Sequence, residues 1–427
     1  MTTTENPRII PSSARISTNS PRVLRDYQTA AIAAVRNEWL IGNNRTAIVH
    51  ATGLGKTDII AKLATDEALA GGRVLLLAHR SEPLDQMTAR CAMHAPSVSV
   101  GRVQGQRNET GCAITVASVA TISHAKRVTQ LTQPTMVVID ECHHAMAASY
   151  QKIMAQAGCF EPNGTRTLGV TATLVRGDGQ GFGRLFQSVA DDRGIEWAVS
   201  RGWLVRPFGR AVALNGLRLD QVTKRHGDYA EGELGAMITE DARAIVTAWL
   251  REAGNRITVA FTPTKASAAT VLAAFIEAGV PAELVVGTTP AAARTAIYGR
   301  LASGATRVLV SVMVTTEAWD CPPVACVLIA RPTQQLGLYE QMVGRGLRLS
   351  DGKTDCLVLD TVGKLRDPRL VTLIDMMPSA LYTDTEALKV LTPGRVLSRR
   401  EARAYLSTSL LSPRESMSAK LRSWFTR

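Results

Sequence analysis

Thr52-Gly53-Leu54-Gly55-Lys56-Thr57 sets two glycines, a lysine and two hydroxyls in a run that could grip phosphate. Glycines let backbone N–H groups close on phosphate oxygens, and a helix starting there would add its positive end. Lys56 would reach the terminal phosphates, and Thr57 would hold a magnesium ion. Asp140-Glu141-Cys142-His143-His144 comes later. Asp140 would complete the magnesium site, and Glu141 would orient and deprotonate a water. His143 would relay the nucleotide state. Gln341, Arg345 and Arg348 then fall at i, i+4 and i+7, so one helical face is predicted to carry all of them. Arginine stays charged, and its planar fork can hold phosphate oxygens bidentately. Together these blocks imply nucleoside triphosphate hydrolysis. They lie far apart in sequence, so folding must assemble the site, between two domains.

The elements that would position these groups are legible as apolar runs. Thr46–His50, Val74–Ala78, Ala113–Ala117, Met136–Asp140 and Leu168–Thr171 alternate with Ala-rich helical stretches. The pattern repeats with Ile257–Phe261, Glu283–Val286, Arg307–Val312, Ala325–Ala330 and Asp355–Asp360. Continuously apolar strands separated by helices predict parallel sheets covered on both faces. The fold class is therefore α/β, with two tandem domains over 21–206 and 246–376. Residues 1–20 are expected to be a flexible leader, and 377–427 a basic tail. Residues 207–245, which include Lys224-Arg225-His226-Gly227-Asp228, are expected to be a connector or accessory segment.

Bulk composition narrows the partners. Lys+Arg exceed Asp+Glu by 49 − 37 = +12, which suits an anionic partner. From Arg395 to Arg427 there are eight basic residues against Glu401 and Glu415, half of that excess. Aromatics are 5% of the chain, so stacking platforms for bases are few. The seven cysteines form no CxxC pair, which argues for reduced thiols in a cytoplasmic compartment. Cys142, His143, His144 and Cys159 match no common zinc spacing. No apolar run is long enough to span a bilayer.

With these blocks in order, residues from about Pro21 to Met376 resemble a superfamily 2 helicase of the DExH type, in the branch of DNA-repair helicases and type III restriction-enzyme motors. The resemblance implies two RecA-like domains with ATP, and Mg2+ beside it, in the cleft between them. Leu24-Arg25-Asp26-Tyr27-Gln28 resembles the adenine-reading segment, which makes Arg25 and Gln28 candidate base contacts. Thr52 to Thr57 would hold the phosphates, and Asp320 the ribose. Thr171-Ala172-Thr173 resembles the segment that couples hydrolysis to movement, through Thr171 and Thr173. Arg80, Arg102, Thr121, Thr262, Thr315 and Thr316 are the implied nucleic-acid contacts, none of which would read sequence. Three positions depart from the family pattern: His50 replaces a loop glycine, while Pro83 and Ala318 stand where the branch has an aliphatic residue and a glycine.

The expected activity is ATP-dependent translocation along, or unwinding of, DNA. An RNA helicase is the alternative within the enzyme class. A subunit using ATP only as a conformational latch is the alternative outside it, and intact Lys56, Glu141 and Arg345 argue against that.

Overall fold

A computed structural model describes residues 23–79, 81–128, 132–172, 185–225, 227–314, 319–363, 370–377 and 381–382. The expected leader and all of the expected basic tail except residues 377 and 381–382, together with Arg80, Thr173, Thr315 and Thr316, lie outside the described residues.

The first lobe is built on strands β1 (Arg45–His50), β2 (Val74–Ala78), β3 (Val100–Gln104), β4 (Arg107–Asn108), β5 (Ile114–Ser118), β6 (Met136–Asp140), β7 (Arg166–Thr171) and β8 (Ser188–Arg193). They form one sheet in the order β4-β3-β5-β2-β6-β7-β1-β8, and only the short β3–β4 pair is antiparallel. Helices α1 (Asp26–Leu40), α2 (Lys56–Leu69), α3 (Ser81–His94), α4 (Val119–Ile122), α5 (Ala125–Val128), α6 (Ala148–Gln156) and α7 (Ile195–Ser200) connect or cover these strands. Apolar clusters lie on both faces of the sheet. Burial on two sides is why strands such as Val74–Ala78 are apolar at every position.

The second lobe begins with β9 (Arg206–Leu214), inside the stretch expected to be a connector. A hairpin of β10 (Lys224–Arg225) and β11 (Asp228–Tyr229) follows, then β12 (Thr258–Phe261), β13 (Ala282–Val285), β14 (Val308–Ser311), β15 (Cys326–Ile329), β16 (Asp355–Gly363) and β17 (Leu381–Tyr382). The main sheet runs β13-β14-β12-β15-β16-β9-β17, with every pair parallel. Its helices are α8 (Glu231–Glu240), α9 (Ala242–Glu252), α10 (Lys265–Glu277), α11 (Ala291–Ser303), α12 (Leu336–Gly344) and α13 (Leu373–Met376). The strand β9 reads weakly in sequence because Arg206, Pro207, Gly209 and Arg210 interrupt its apolar pattern. Pairing with β16 over its whole length overrides that local signal. No helix among the described residues is long and apolar enough to cross a membrane.

One apolar cluster belongs to both lobes. It joins Tyr27, Ala51, Leu54 and Leu204 to Trp319, Met342, Val343 and Leu347. The Val205 N–H donates to Leu347 O across this seam at 2.8 Å. Gly344 permits the close approach, since a Cβ there would lie 2.7 Å from the Thr52 Cβ. Replacing it should force the lobes apart. Gly344→Val is expected to cost about 1–3 kcal/mol of stability by overpacking and to enlarge the radius of gyration in solution scattering. An unchanged melting temperature and scattering curve would remove Gly344 from this role.

Candidate active site

The phosphate-binding run occupies the turn between β1 and α2. Gly53 has φ 95° and Gly55 φ 72°, backbone states that side chains with a Cβ rarely adopt. Their missing side chains also keep space open: a Cβ on Gly53 would meet Leu204 at 3.0 Å and Arg348 at 3.3 Å. Lys56 opens α2, and its Nζ donates to the His50 carbonyl at 3.0 Å. Burial lowers the Lys56 pKa, and Arg345 and Arg348 add repulsion, while Glu141 and Asp140 oppose the shift.

His50, the departure from the glycine of the strict loop, has a structural role. It is buried, and its Nε2 lies 2.7 Å from Asp191 Oδ2 in the edge strand β8. Asp191 also accepts from Arg193 Nε at 2.6 Å. The histidine therefore ties the end of β1 to its neighbour, directly beneath the phosphate turn.

Asp140 ends β6, and Glu141 follows in a left-handed conformation with φ 48°. Such a backbone is uncommon for a residue with a long side chain and costs about 1–3 kcal/mol. The conformation sets Glu141 on the wall of the same cavity as Lys56 and Asp140. Burial opposes its ionisation, but His143, Lys56 and Arg345 outweigh burial and hold its carboxyl down to about 2. His143 Nδ1 is 3.3 Å from Glu141 Oε2 and 3.2 Å from Thr171 Oγ1. The expected relay residue thus bridges the carboxylate and the expected coupling segment.

The second lobe supplies the cations, though by a different geometry from the one expected. Helix α12 ends at Gly344, so Gln341, Arg345 and Arg348 do not share a helical face. Arg345 is the C-cap residue and Arg348 lies beyond it. They converge instead on one acceptor: Arg345 Nη1 and Arg348 Nη1 donate to Trp319 O at 2.7 and 2.8 Å. Arg348 also pairs with Asp320 at 3.1 Å. Gly344 and Gly346 flank Arg345 at this end of the helix. Each packs where a Cβ would strike a neighbour, Thr52 for the first and Cys356 with Val327 for the second. Gln341 is buried beside them.

Lys56, Thr57, Asp140 and Glu141 from one lobe and Asp320, Arg345 and Arg348 from the other line a single cavity of about 410 Å³. Its chemistry fits a magnesium triphosphate. The glycine cradle and lysine suit phosphates, and the Thr57 hydroxyl and Asp140 carboxylate are the hard oxygen donors that magnesium takes. Thr52 lines it as well and is buried under Gly344, while Leu54 turns into the interlobe cluster.

At the expected base-binding end, Gln28 Nε2 lies 3.2 Å from both Leu54 O and Gly55 O, and its Oε1 accepts from Arg25 N at 2.9 Å. It braces the phosphate turn. Trp203, which sequence reasoning did not single out, lines the cavity, with the Arg25 guanidinium 5.1 Å from its ring centroid. Its place beside Arg25 depends on the chain returning from β8 through α7, a tertiary event with no local sequence signal.

Of the expected nucleic-acid contacts, Arg102, Thr121 and Thr262 lie among the described residues. Arg102 is paired with Asp85 and donates to Gln104 at 2.8 Å. The Thr121 hydroxyl accepts from Gly105 N at 3.2 Å. Thr262 is fully buried, and its hydroxyl donates to Ser311 O at 3.3 Å. All seven cysteines are free, and no metal-binding cluster of His, Cys, Asp or Glu occurs among the described residues.

Comparison with known proteins agrees with this geometry. Residues 22–176 match the family described as type III restriction enzyme, res subunit, and residues 241–350 match the helicase conserved C-terminal domain. The chain is 31% identical over 82% of its length to a Schizosaccharomyces pombe protein named as a mitochondrial ATP-dependent helicase, irc3. It is 29% identical over 81% of its length to the Saccharomyces cerevisiae protein named as ATP-dependent helicase IRC3. It spans 60% and 52% of those relatives' own lengths. Among solved structures, a fragment described as an HsdR subunit of a type I restriction enzyme from Vibrio vulnificus shares the fold, with TM-score 0.62, 20% identity, and coverage of 80% of this chain and 64% of that one. A type ISP restriction-modification enzyme, LlaBIII, solved bound to DNA, shares it at TM-score 0.59 and 17% identity, over 82% of this chain and 28% of that one. Two parallel sheets, each matched by one of the paired domains, are the tandem RecA-like units of this fold. The chain belongs to the superfamily 2 helicases, in the branch of restriction-enzyme motors.

Proposed function

We infer that the protein is an ATP-dependent DNA translocase or helicase, with ATP and Mg2+ in the interlobe cavity and hydrolysis driving relative movement of the lobes. One observation carries this reading: Lys56, Asp140 and Glu141 from the first lobe share a cavity with Arg345 and Arg348 from the second. Its working units are residues 21–206 and 246–376, with 207–245 supplying β9, the β10–β11 hairpin and α8 of the second lobe. The DNA partner is supported by the net charge of +12 and by the DNA-bound LlaBIII neighbour of the same fold. The free thiols suit a cytoplasmic compartment.

The phosphates of ATP would lie along the glycine turn, with Lys56 on the terminal pair. Thr57 and Asp140 would hold magnesium, which when bound spreads the charge of the phosphate oxygens. A water on the far side of the terminal phosphorus would be oriented by Glu141. Its oxygen attacks that phosphorus, the bond to the ADP oxygen breaks, and the water proton passes towards the carboxylate. A carboxyl held near 2 is a poor base. His143 depresses it most, while Lys56 and Arg345, which add to this, are the groups a triphosphate would engage, and their neutralisation would raise the carboxyl pKa. Arg345 and Arg348 would turn from the Trp319 carbonyl to the developing phosphate charge. Trp203 would offer its ring to the nucleobase, beside Arg25.

The deciding measurement is ATP hydrolysis with single-stranded DNA, duplex, forked DNA and RNA in parallel, scored with strand displacement. Stimulation by DNA is expected. Indifference to every nucleic acid would defeat the motor reading, and preference for RNA would move the assignment to the RNA alternative. Glu141→Gln should lower turnover by about 10²–10⁴ while ATP binding persists, whereas Lys56→Ala should weaken binding itself. Undiminished turnover in the glutamine variant would strip Glu141 of its role. Arg345→Ala should lower turnover by about 10³ or more with nucleotide affinity less affected. Trp203→Ala should raise KM for ATP by roughly threefold to tenfold with little change in kcat, as lost stacking would; an unaltered KM would place the base elsewhere.

A further inference from the structure

The hairpin of β10 and β11 has no part in the site described above, yet its mounting connects it to that site. Lys224 pairs with Tyr229 and Arg225 with Asp228, and Gly227 has φ 77°. Lys224, Arg225 and Gly227 are exposed, while Val222, Asp228 and Tyr229 are buried in the core of the second lobe. Ala230 N donates to Thr223 O at 2.7 Å, and Thr223 N to Glu233 Oε2 at 2.7 Å, so the base is closed on both sides. The result is a short hairpin, closed at its base, with a basic tip.

Its position follows from the sheet. The hairpin comes after the C-terminal end of β9, and α8 behind it packs on the loop that follows β12: a Cβ on Gly235 would lie 2.6 Å from Thr264 Oγ1. The tip therefore stands at the strand edge that carries the Thr262–Thr264 loop. At its root, Arg331 is 6% exposed, and its Nε and Nη1 have no partner among the described residues. Its Nη2 donates to Glu231, whose side chain is 58% exposed. A buried cation with so exposed a counter-charge leaves positive potential at this edge.

The Asp228 carboxylate links the hairpin to the arginines. Its Oδ2 accepts from Thr333 Oγ1 at 2.7 Å, and its Oδ1 accepts from Gln334 N at 2.8 Å. Thr333 Oγ1 in turn accepts from Gln335 N at 3.1 Å, and Gln335 is the N-cap of α12, whose other end is Arg345.

We propose that Lys224 and Arg225 bind the phosphate backbone of nucleic acid, and that Asp228 is the positioning residue through which this contact sets α12 and its C-terminal arginines. The proposal rests on the nucleic-acid reading above. Backbone phosphates suit the tip because an exposed lysine and arginine on the short strand β10 give charge without a pocket to read bases.

The test measures ATP hydrolysis by the full chain against increasing concentrations of a poly-deoxythymidine oligonucleotide, over a range of salt. Lys224→Ala with Arg225→Ala should raise the half-saturating oligonucleotide concentration severalfold, and should reduce the slope of log affinity against log salt by about 1–2. An unchanged slope and half-saturation, or a loss confined to association with another protein, would overturn the contact. Asp228→Asn should leave the half-saturating concentration near that of the unmodified protein and lower the ratio of stimulated to unstimulated hydrolysis by threefold or more. If that variant does not fold, Thr333→Val reads the same link. A preserved ratio in the folded variant would overturn the linkage. Should the unmodified protein show no stimulation at all, it is the motor reading that fails; stimulation indifferent to all these changes condemns the hairpin alone.

Discussion

Removal of Lys56, Arg345 and Arg348 from water around one cavity is the constraint on which the rest of the structure depends. Burial and mutual repulsion both lower the Lys56 pKa, and burial lowers that of Arg348. In the structure these charges are held by backbone and side-chain oxygens: His50 O takes Lys56, Trp319 O takes both arginines, and Asp320 takes Arg348. Such partners are weaker than a polyphosphate. The interlobe cavity is thus tuned for a ligand with several negative charges, and the seam through Thr52 and Gly344 lets its charge act on both lobes at once.

Backbone strain appears where the site must switch. Glu141 at φ 48° and Met313 at φ 53° both follow a central strand at its C-terminal end, β6 and β14 respectively. Asn163, the remaining non-glycine residue with positive φ among the described residues, is of a type that tolerates it. At Glu141 the strain sits between the carboxylate that would face the water and His143, which reaches Thr171. A change in charge at the carboxylate is therefore felt at the end of β7 without any long path. The His143 bridge carries it through one side chain.

The catalytic blocks were legible because each is local: a glycine turn, a strand ending in acids, and a glycine-flanked arginine run. Strands Val74–Ala78 and Met136–Asp140 have the bounds their apolar runs predict. Strands β3, β8 and β9 did not stand out, for Ser188–Arg193 carries two aspartates and an arginine at a sheet edge, and β9 carries Pro207 and Gly209. Helical spacing misled at Arg345 and Arg348, because α12 ends at Gly344 and a shared carbonyl replaces a shared face. Gln28 and Trp203 could not be told apart by pattern either. Only the fold shows that the glutamine braces the phosphate turn while the indole lines the cavity.

A parallel sheet sends every loop that follows a strand to the same edge, and this explains how distant sequence blocks come to work together. In the second lobe that edge holds the loop after β12, the Arg331–Gln335 segment after β15 and the hairpin after β9. Helix α12 has nine residues, so it spans roughly 14 Å at the usual rise per residue. Its N-cap is bonded to Thr333, which is bonded to Asp228; its last residue adjoins Arg345. A tilt of this one short helix, pinned at the first end, moves the guanidinium groups at the second. The same helix packs Tyr339 onto Asp360 in the core, with oxygen–oxygen distances of 2.7 and 2.9 Å. That buried anchor holds the middle of α12, between the Asp228 link at one end and the arginines at the other.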